Sequence, residues 1–388
     1  MKHCDVIVVG GGMVGAAAAL GLAQQQLKVQ LLERQPLPHF EPDGAYDIRI
    51  SAISAGSVKL LNQLAAWDNI HAMRTCPYTR LATWEIEGFE TTFTSQELGL
   101  HELGFMVENN VVQRGLWQAF AGLDNLEHCI GEISSIKKCG EQWCVSMKQG
   151  EQFQAPLIVA ADGANSQLRQ IAHIGLTGWQ YRQRCMLILV NTALPQQDIT
   201  WQQFCPSGPR AFLPLLGHQG CLVWYDTPAE IQRLQHLPLE LLSEEIMRVF
   251  PPRLGQVQAT QVASFELVRR HAQQYYKDGI VLLGDAAHTI NPLAGQGVNL
   301  GFKDVAVFLE VMQQAQQAGQ NIASDEVLQR YQRRRKPDNL LMQTGMDAFY
   351  KGFKEPLLPL KIVRNLALLG VQKCTPLKKR ALNYALGL

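Results

Sequence analysis

Hydrophobic and polar positions in this chain follow two patterns that alternate along the sequence. Short continuous apolar runs, typical of buried strands, occupy residues 4–9, 29–32, 156–160 and 279–283. Apolar residues at helical spacing run to about residue 26, over 109–122 and over 298–315. Strands that alternate with helices predict an α/β fold with a largely parallel sheet.

The segment 181–270 has a different pattern, with strand-like runs separated by proline and glycine. It predicts a mixed, mainly antiparallel sheet inserted between the α/β segments. We expect a discontinuous cofactor-binding domain (1–75, 101–180 and 272–340), a substrate-binding sheet domain (76–100 and 181–271) and a C-terminal helical region (341–388). Five aromatic residues of the sheet could line an apolar substrate pocket, although plain core is the alternative for each: Trp201, Phe204, Phe212, Trp224 and Tyr225.

Composition excludes several classes of protein. The 388 residues carry a net charge of +1, so no global field favours nucleic acid. The nine cysteines include no C-x-x-C pair, which favours free thiols in a reducing compartment. The start of the chain does not resemble a signal peptide, and no run of about 18 apolar residues predicts a membrane span. We therefore expect a cytoplasmic protein.

The first strand runs into Gly10-Gly11-Gly12-Met13-Val14-Gly15, which contains G-x-G-x-x-G, and a helix follows. The second strand ends on Glu33-Arg34, 18 residues beyond the last glycine. In such a motif Gly10 permits a tight turn, Gly12 lets a pyrophosphate approach and Gly15 lets helix and strand pack closely. Glu33 would accept from ribose hydroxyls. The motif predicts a dinucleotide site and leaves both FAD and NAD open.

Two further strands end on an acid next to glycine. Asp162-Gly163 begins D-G-x-x-S-x-x-R, in which Ser166 also reads as a helix N-cap. Gly284-Asp285 is followed by a loop with Pro292, Gly295 and Gly297 and by the helix that contains Val298 and Asn299. A strand-end carboxylate can accept from a ribityl hydroxyl, and glycine lets a flat ring approach the backbone. Arg49 is a candidate phosphate ligand, and Gln113 is expected to face the interior or the cofactor.

The three strand-end motifs together resemble those of the aromatic-ring hydroxylases, the flavoprotein monooxygenases related to 4-hydroxybenzoate hydroxylase. Further segments resemble the ubiquinone-biosynthesis hydroxylases of that family, namely 49–54, 106–109, 162–167, 201–204, 208–215, 222–226 and 384–388. The resemblance covers essentially the whole chain. It implies a Rossmann-like FAD-binding domain of the 4-hydroxybenzoate hydroxylase type, with Asp162-Gly163 associated with both FAD and the nicotinamide donor. It also implies Gly284-Asp285 at the ribityl and isoalloxazine end, and Pro292 and Gly295 near the isoalloxazine.

The resemblance further implies hydroxylation of a polyprenylated benzoquinol, with demethoxyubiquinol favoured, through a flavin C4a-hydroperoxide formed from O2. NAD(P)H or another donor would reduce the flavin. Alternatives are a sister hydroxylase acting at another ring position or on another aromatic substrate, a flavin reductase or oxidase, and a non-catalytic flavoprotein scaffold. No G-x-S-x-G or Glu-x-x-His occurs, and no metal site is predicted. His288 lies within the flavin motif, which favours a structural role over a catalytic one.

The C-terminal part of the chain is basic. A helix is predicted over 324–335, ended by Pro337, with a basic cluster in its last turn. Residues 356–388 contain six basic residues and no acid among many aliphatic ones: Lys361, Arg364, Lys373, Lys378, Lys379 and Arg380. Such a tail predicts peripheral contact with a membrane or with other ubiquinone-biosynthesis proteins. An ordinary helix pair packed on the core is the alternative, and a homo-oligomer is compatible with the sequence.

Overall fold

The computed structural model describes residues 1–291, 295–354 and 358–388. Among these residues, no helix is both long enough and apolar enough to cross a membrane. All nine cysteines are free thiols. Within the described ranges the strands, in chain order, are β1 (Lys2–His3), β2 (Val6–Val9), β3 (Val29–Glu33), β4 (Ile50–Ser54), β5 (Cys76–Tyr78), β6 (Arg80–Trp84), β7 (Thr91–Thr94), β8 (Gly104–Glu108), β9 (Leu126–Ile130), β10 (Ile133–Cys139), β11 (Gln142–Met147), β12 (Gln152–Ala155), β13 (Leu157–Ala160), β14 (Leu176–Thr192), β15 (Ile199–Gln203), β16 (Arg210–Pro214), β17 (Gln219–Asp226), β18 (Val257–Ala272), β19 (Tyr276–Lys277), β20 (Ile280–Leu282) and β21 (His288–Thr289).

The helices pack against these strands. In the same described ranges they are α1 (Met13–Gln24), α2 (Ala55–Gln63), α3 (Trp67–His71), α4 (Asn109–Gln118), α5 (Gln167–Ile171), α6 (Pro228–Gln235), α7 (Leu239–Val249), α8 (Gln296–Gln317), α9 (Asp325–Lys354), α10 (Leu358–Lys373) and α11 (Thr375–Leu386). Short 3-10 helices cover Ser95–Leu98, Pro252–Leu254 and Gly284–Ala286.

A six-stranded sheet, ordered β19-β20-β13-β2-β3-β9, forms the centre of the first layer. All of its pairings are parallel except that between β19 and β20. Ala160 pairs with both Val9 and Leu282, and Val9 pairs with Leu32, so four parallel strands end level with one another. The four apolar runs of the sequence therefore become one buried sheet, as predicted. Helix α1 packs on it with its alanines fully buried.

An eight-stranded sheet, ordered β21-β18-β14-β17-β16-β15-β6-β7, forms the second layer. Only its β15–β6 pairing is parallel, which confirms the predicted mainly antiparallel insertion. Neighbouring side chains along a strand point to opposite faces. One face, with Met186, Ile188 and Leu222, is covered by α6 and α7. The other, with Leu189 and Cys221, packs on the small β4-β8-β5 sheet and on α11.

A third sheet, ordered β1-β12-β11-β10, contains the antiparallel meander of β10, β11 and β12. The predicted fold class, a Rossmann-like α/β domain with an inserted, mainly antiparallel sheet and C-terminal helices, is confirmed. The elements do not all stop at the expected domain limits. Strands β14 and β18 extend past them, and α9 runs through 340 and 341 without a break.

Helix α9 corrects a prediction, because it continues through Pro337 to Lys354 instead of ending there. Proline removes one backbone hydrogen bond and crowds the preceding turn, at a cost of roughly 3 kcal/mol. Tertiary contacts on both sides of Pro337 offset this cost. Arg335 and Asn339 bind Asp304 on α8, and Asp347 pairs with Arg269 on β18. The basic cluster is likewise not a simple helix-end feature, since Arg335 is buried.

The C-terminal segment forms the helix pair α10 and α11, and two of its six basic residues are not available to external partners. Lys378 is buried and pairs with Glu97. Arg364 pairs with Glu85, a buried carboxylate next to β6. Leu382 and Leu386 of α11 enter the core beside β4 and β8. The pair is therefore partly docked on the body of the protein.

Candidate functional site

The three strand-end motifs meet at one edge of the six-stranded sheet. A Cβ added to Gly10 would lie 2.3 Å from the Ala161 carbonyl oxygen, so the first motif abuts the second. Val14 lies against Gly284 and Gly301, where an added Cβ would be 3.2 Å and 2.6 Å from its methyl groups, so the first motif also abuts the third. Ligands of open α/β sheets bind at this carboxyl edge. The geometry thus assembles one site from segments more than 100 residues apart.

The glycines of the first motif have the shapes that the sequence predicts for a phosphate-binding turn. Gly10 has a φ of +101°, and a Cβ on Gly15 would lie 1.8 Å from the Gly10 carbonyl oxygen. These two positions close the turn. A Cβ on Gly12 would meet no atom within 4 Å, so the backbone there borders open space at the start of α1. Open backbone at a helix N-terminus suits a pyrophosphate.

Hydrogen bonds around Gly11 hold this turn in place. The Glu33 carboxylate accepts from Gly11 N at 2.5 Å and from Gln35 N at 3.0 Å. Gln113 Nε2 and Trp117 Nε1 both donate to the Gly11 carbonyl, each at 2.8 Å. Gln113 therefore faces the glycine turn, as expected. Glu33 retains lone pairs that can accept from a ribose, because each carboxylate oxygen has two.

The second motif is tied to the third by an arginine. Asp162 accepts from Gln167 N and Leu168 N through Oδ2, while its buried Oδ1 has no partner within the described part of the chain. Gly163 has a φ of +79°, and a Cβ there would meet nothing within 4 Å. Buried Arg169 donates to the carbonyls of Ala286 and Ala164, at 2.9 Å and 3.1 Å. The orphan oxygen and the open backbone leave room for a polar ligand group.

Asp285 is exposed at the carboxyl edge of the sheet, whereas the neighbouring Gly284 and His288 are held by buried contacts. Its surface is exposed although protein atoms crowd around it, and the resulting poor solvation raises the pKa of its carboxyl. Gly284 N donates to Asp304 Oδ2 at 3.0 Å, and His288 Nε2 lies 2.5 Å from the same oxygen. His288 is buried against Asp304, a position that suits the structural role favoured by its place in the motif.

The start of α8 is clamped by Asn299. Its Oδ1 accepts from Ser54 N and Ser57 Oγ, and its Nδ2 donates to the Ala52 and Gly295 carbonyls. All four hydrogen-bonding positions of the Asn299 side chain are used, so a cofactor contact from Asn299 would come from its backbone. Gly295 caps α8 with a φ of +64°, and Gly297 and Val298 lie partly exposed in its first turn. Pro292, predicted near the isoalloxazine, lies outside the described residues.

The two predicted arginines lie at the surface. Arg34 follows β3 and is exposed. Arg49 is exposed before β4, with Asp47 Oδ2 at 3.7 Å from its guanidinium. Among the residues that the structure describes, neither guanidinium has a side-chain hydrogen bond, which is compatible with a phosphate contact.

The five predicted substrate aromatics fall into separate places. Trp201, Phe212 and Trp224 are buried under α6 and α7, on the face of the large sheet turned away from β4. Phe204 stacks on Phe353 of α9, with ring centroids 3.9 Å apart. Tyr225 lies on the opposite face from Trp224, since it pairs with Cys185 while Trp224 pairs with Met186. Its buried hydroxyl lies beside the Cys185 thiol and has no further hydrogen-bond partner among residues 1–291, 295–354 and 358–388.

The residues that sequence reasoning missed are those that support the site from behind, above all Asp304, Arg335 and Arg169. Burial alone raises the pKa of Asp304, but the nearby charges of His288 and Arg335 outweigh this and hold it well below its usual range. One signal was available. Asp304 stands in the helical series Leu300, Asp304, Phe308, Met312, whose other members are apolar and buried. An acid at a core position of an amphipathic helix indicates a buried partner.

The family model described as FAD binding domain matches residues 3–342. The chain belongs to this family, and its cofactor is FAD.

Two relatives and one solved structure specify the likeness further. The chain is 49% identical over 385 residues to the 3-demethoxyubiquinol 3-hydroxylase of Escherichia coli (strain K12), covering 99% of this chain and 98% of that protein. It is 30% identical to the ubiquinone hydroxylase UbiL of Rhodospirillum rubrum, covering 100% and 90%. Its fold matches the p-nitrophenol 4-monooxygenase PnpA of Pseudomonas putida DLL-E4, with a TM-score of 0.80, 20% identity and coverage of 98% and 97%. The predicted resemblance to flavoprotein hydroxylases of ubiquinone biosynthesis is confirmed.

Proposed function

We propose that this protein is an FAD-dependent monooxygenase that hydroxylates the ring of a polyprenylated benzoquinol in ubiquinone biosynthesis, with demethoxyubiquinol as substrate. The observation that carries the proposal is the 49% identity to a 3-demethoxyubiquinol 3-hydroxylase over nearly the full length of both chains. The convergence of three strand-end motifs on one cleft supports it independently, because a single extended cofactor would be gripped at both ends and in the middle.

Each motif has a proposed part in holding FAD. Gly12, Met13, Val14 and the α1 N-terminus would hold the pyrophosphate, with Glu33 on the adenosine ribose and Arg34 and Arg49 near phosphates. Asp162-Gly163 and Asp285 would accept from hydroxyls further along. Gly295, Gly297 and the backbone of Val298 and Asn299 would border the flavin ring. When bound, FAD supplies electron transfer from a nicotinamide nucleotide and activation of O2.

The substrate would lie between the start of α8 and the face of the large sheet that carries Leu187, Val223 and Tyr225. This face packs on α9 through Met346 and Tyr350, and Met346 also packs against the cluster of Ile290, Leu300 and Met342. Apolar walls of this kind would exclude water from the reacting ring, and the Tyr225 hydroxyl, which lies beside the Cys185 thiol, would be available to a quinol oxygen. The proposed division into an FAD domain, a sheet domain and a helical region places the two binding functions on different layers.

A quinol ring is already activated toward an electrophile by its own hydroxyls, so the chain's part is to orient the ring and keep water out. We propose NAD(P)H as the electron donor and peripheral contact with a membrane or with other ubiquinone-biosynthesis proteins. A homo-oligomer fits the same proposal. The contact with a membrane or partner follows from a substrate whose prenyl tail is insoluble in water.

The test is oxygen incorporation. Purified, FAD-loaded protein is supplied with a short-chain demethoxyubiquinol, NADH or NADPH and isotopically labelled O2, and the quinol is analysed by mass spectrometry. One labelled oxygen per ring, dependent on the protein and the donor, is the expected result. Donor oxidation that yields only peroxide would favour an oxidase, and flavin that no donor reduces would favour a scaffold. Identifying the precursor that accumulates in a strain without this protein separates demethoxyubiquinol from the substrates of sister hydroxylases.

A further inference from the structure

Helix α10 presents its apolar side to solvent. Ile362, Val363 and Leu366 are 51%, 63% and 55% exposed. Ile362 and Val363 each lie about one turn before Leu366, and the three define the outer stripe of α10. On the inward side Asn365 is 1% exposed, and Leu368 is the buried aliphatic residue there. An amphipathic surface helix normally has the opposite orientation, with its apolar stripe on the core.

Polar bonds hold α10 in this orientation. Asn365 Nδ2 and Arg364 Nε donate to the Glu85 carboxylate, at 2.6 Å and 2.7 Å. Thr91 Oγ1 donates to the Leu368 carbonyl at 2.8 Å, and Thr92 N donates to Gln372 Oε1 at 3.1 Å. Both threonines belong to β7, the edge strand of the large sheet. Rotating α10 so that the outer stripe faces inward would break these hydrogen bonds and leave the buried Glu85 carboxylate without partners. The hydrogen bonds therefore fix the orientation of α10.

The charged residues of the C-terminal segment 356–388 are all basic. Lys373 lies on the same side of α10, seven residues after Leu366, and Lys379 and Arg380 lie on α11. The three are exposed, and none forms an ion pair with a residue that the structure describes. No acid occurs between Pro356 and Leu388. An aliphatic stripe bordered by free cations matches the boundary of an anionic lipid layer, where apolar side chains enter the acyl region and cations meet the headgroups.

We propose that the outer stripe of α10 rests on an anionic membrane surface. The proposal rests on the proposed function, since a polyprenylated quinol is held in lipid, and it names the surface through which the enzyme reaches it. A folded protein partner would be expected to offer acids to Lys373, Lys379 and Arg380, and it remains an outcome of the test.

The experiment measures binding of FAD-loaded protein to vesicles, without substrate or turnover. Vesicles of phosphatidylcholine alone are compared with vesicles that also contain phosphatidylglycerol. The test variant is V363E/L366E, and the matched control is L241E/M247E on α7, where the replaced side chains are 47% and 45% exposed. A second variant, K373E, changes charge without changing the aliphatic residues. FAD content and thermal unfolding verify that each variant is folded, as expected for substitutions at exposed positions.

We expect wild type to prefer the anionic vesicles, V363E/L366E to bind them about tenfold more weakly or worse, and L241E/M247E to bind as wild type. K373E should lose part of the anionic preference, and added salt should weaken wild-type binding. Equal binding of wild type and V363E/L366E would overturn the proposal, as would absence of vesicle binding by wild type. A change of oligomeric state in V363E/L366E, without vesicle binding by wild type, would assign the stripe to self-association. Because no hydroxylation is measured, failure here leaves the proposed function standing, and loss of hydroxylation alone would not affect this result.

Discussion

Asp304 Oδ2 lies 2.5 Å from His288 Nε2, with both side chains almost completely shielded from water. The same carboxylate receives Arg335 Nε at 2.7 Å and Gly284 N at 3.0 Å. One buried acid thus joins α8, α9 and the turn that carries Asp285. Breaking a buried pair by removing one partner typically costs about 3–5 kcal/mol, whereas exposed pairs contribute about 0–1 kcal/mol.

Asp304→Asn should therefore destabilise the protein by about 3 kcal/mol or more, because the Arg335 and His288 side chains lose their buried counter-charge. It should also weaken FAD retention, since the Gly284 turn loses its anchor. Urea unfolding and FAD titration measure the two effects. The control is Glu310→Gln, which removes an exposed pair with Arg334 between the same two helices and should cost about 1 kcal/mol or less. Equal losses in both variants would show that Asp304 has no special role.

His271 makes stability depend on pH in the mildly acidic range. Burial, with a contribution from the charge of His288, lowers its pKa to about 4. His271 Nδ1 donates to Gln343 Oε1 at 3.0 Å, because the Gln343 amide nitrogen already donates to two carbonyls. In the unfolded chain the histidine takes up a proton below a pH of about 6.5. Its contribution is therefore complete above that pH and is lost as pH falls from about 6.5 toward 4, by roughly 3 kcal/mol.

Replacing His271 by asparagine removes this titration while keeping a donor near Gln343. The free energy of unfolding, measured from pH 7 down to pH 4, should fall less steeply in His271→Asn than in wild type. The exposed His101, replaced in the same way, should leave the slope unchanged. Parallel pH profiles for wild type and His271→Asn would contradict the assignment.

The glycines of the first motif should differ in what they support. A methyl group on Gly15 would overlap the Gly10 carbonyl oxygen, so Gly15→Ala should destabilise the apoprotein. A methyl group on Gly12 would meet no protein atom, so Gly12→Ala should leave the apoprotein as stable as wild type but bind FAD more weakly. Thermal unfolding of the apoprotein and titration with FAD separate the two. Normal FAD affinity in Gly12→Ala would argue against a pyrophosphate at this backbone.

Asp285 is the predicted acceptor for a ribityl hydroxyl. Asp285→Ala should weaken FAD binding by roughly 1.5–3 kcal/mol, about one to two orders of magnitude in Kd, because the hydroxyl loses a charged partner. Asp285→Asn keeps a neutral acceptor and should lose less. Fluorescence titration of the apoprotein provides both constants. Wild-type affinity in the alanine variant would remove Asp285 from the cofactor site.

Tyr225 and Trp224 allow a test of the substrate face with two adjacent residues. Tyr225→Phe removes a buried hydroxyl that lies beside the Cys185 thiol. If this hydroxyl binds the quinol, kcat/KM should fall by up to about tenfold, the value of one neutral hydrogen bond of 0.5–1.5 kcal/mol. Trp224→Phe, on the helix-covered face, should lower stability with little effect on kcat/KM. A Tyr225→Phe protein that is more stable and kinetically normal would place the phenol in the core.

Much of the cofactor site could be predicted from the sequence, because its parts are local. A strand, a glycine turn and a helix start follow one another within about 20 residues, and the chain geometry of that unit is the same wherever it occurs. Because parallel strands all end at the same edge of a sheet, the strand-end motifs at Gly10, Asp162 and Gly284 are predictable as neighbours at that edge. The resemblance of these motifs to those of flavoprotein hydroxylases also allowed the cofactor and the reaction to be predicted from the sequence.

Only the tertiary structure decided which residues face which partner. Alternation along β17 shows that Trp224 and Tyr225 point in opposite directions, but α6 and α7, which bury Trp224, follow β17 in sequence and reveal nothing of the face they cover. The local sequence at Pro337 predicts a helix end, yet α9 continues through it. Contacts with Asp304 before and after Pro337, and the pair of Asp347 with Arg269, stabilise the continuous helix. The sequence predicts that Lys378 is an exposed cation, yet it is buried and pairs with Glu97, 281 residues away in the chain. Each of these placements depends on contacts between segments that are far apart in sequence. The energies of these contacts exceed the local conformational preference of the residue, and the contacts leave no hydrophobic periodicity in the neighbouring sequence from which they could be predicted.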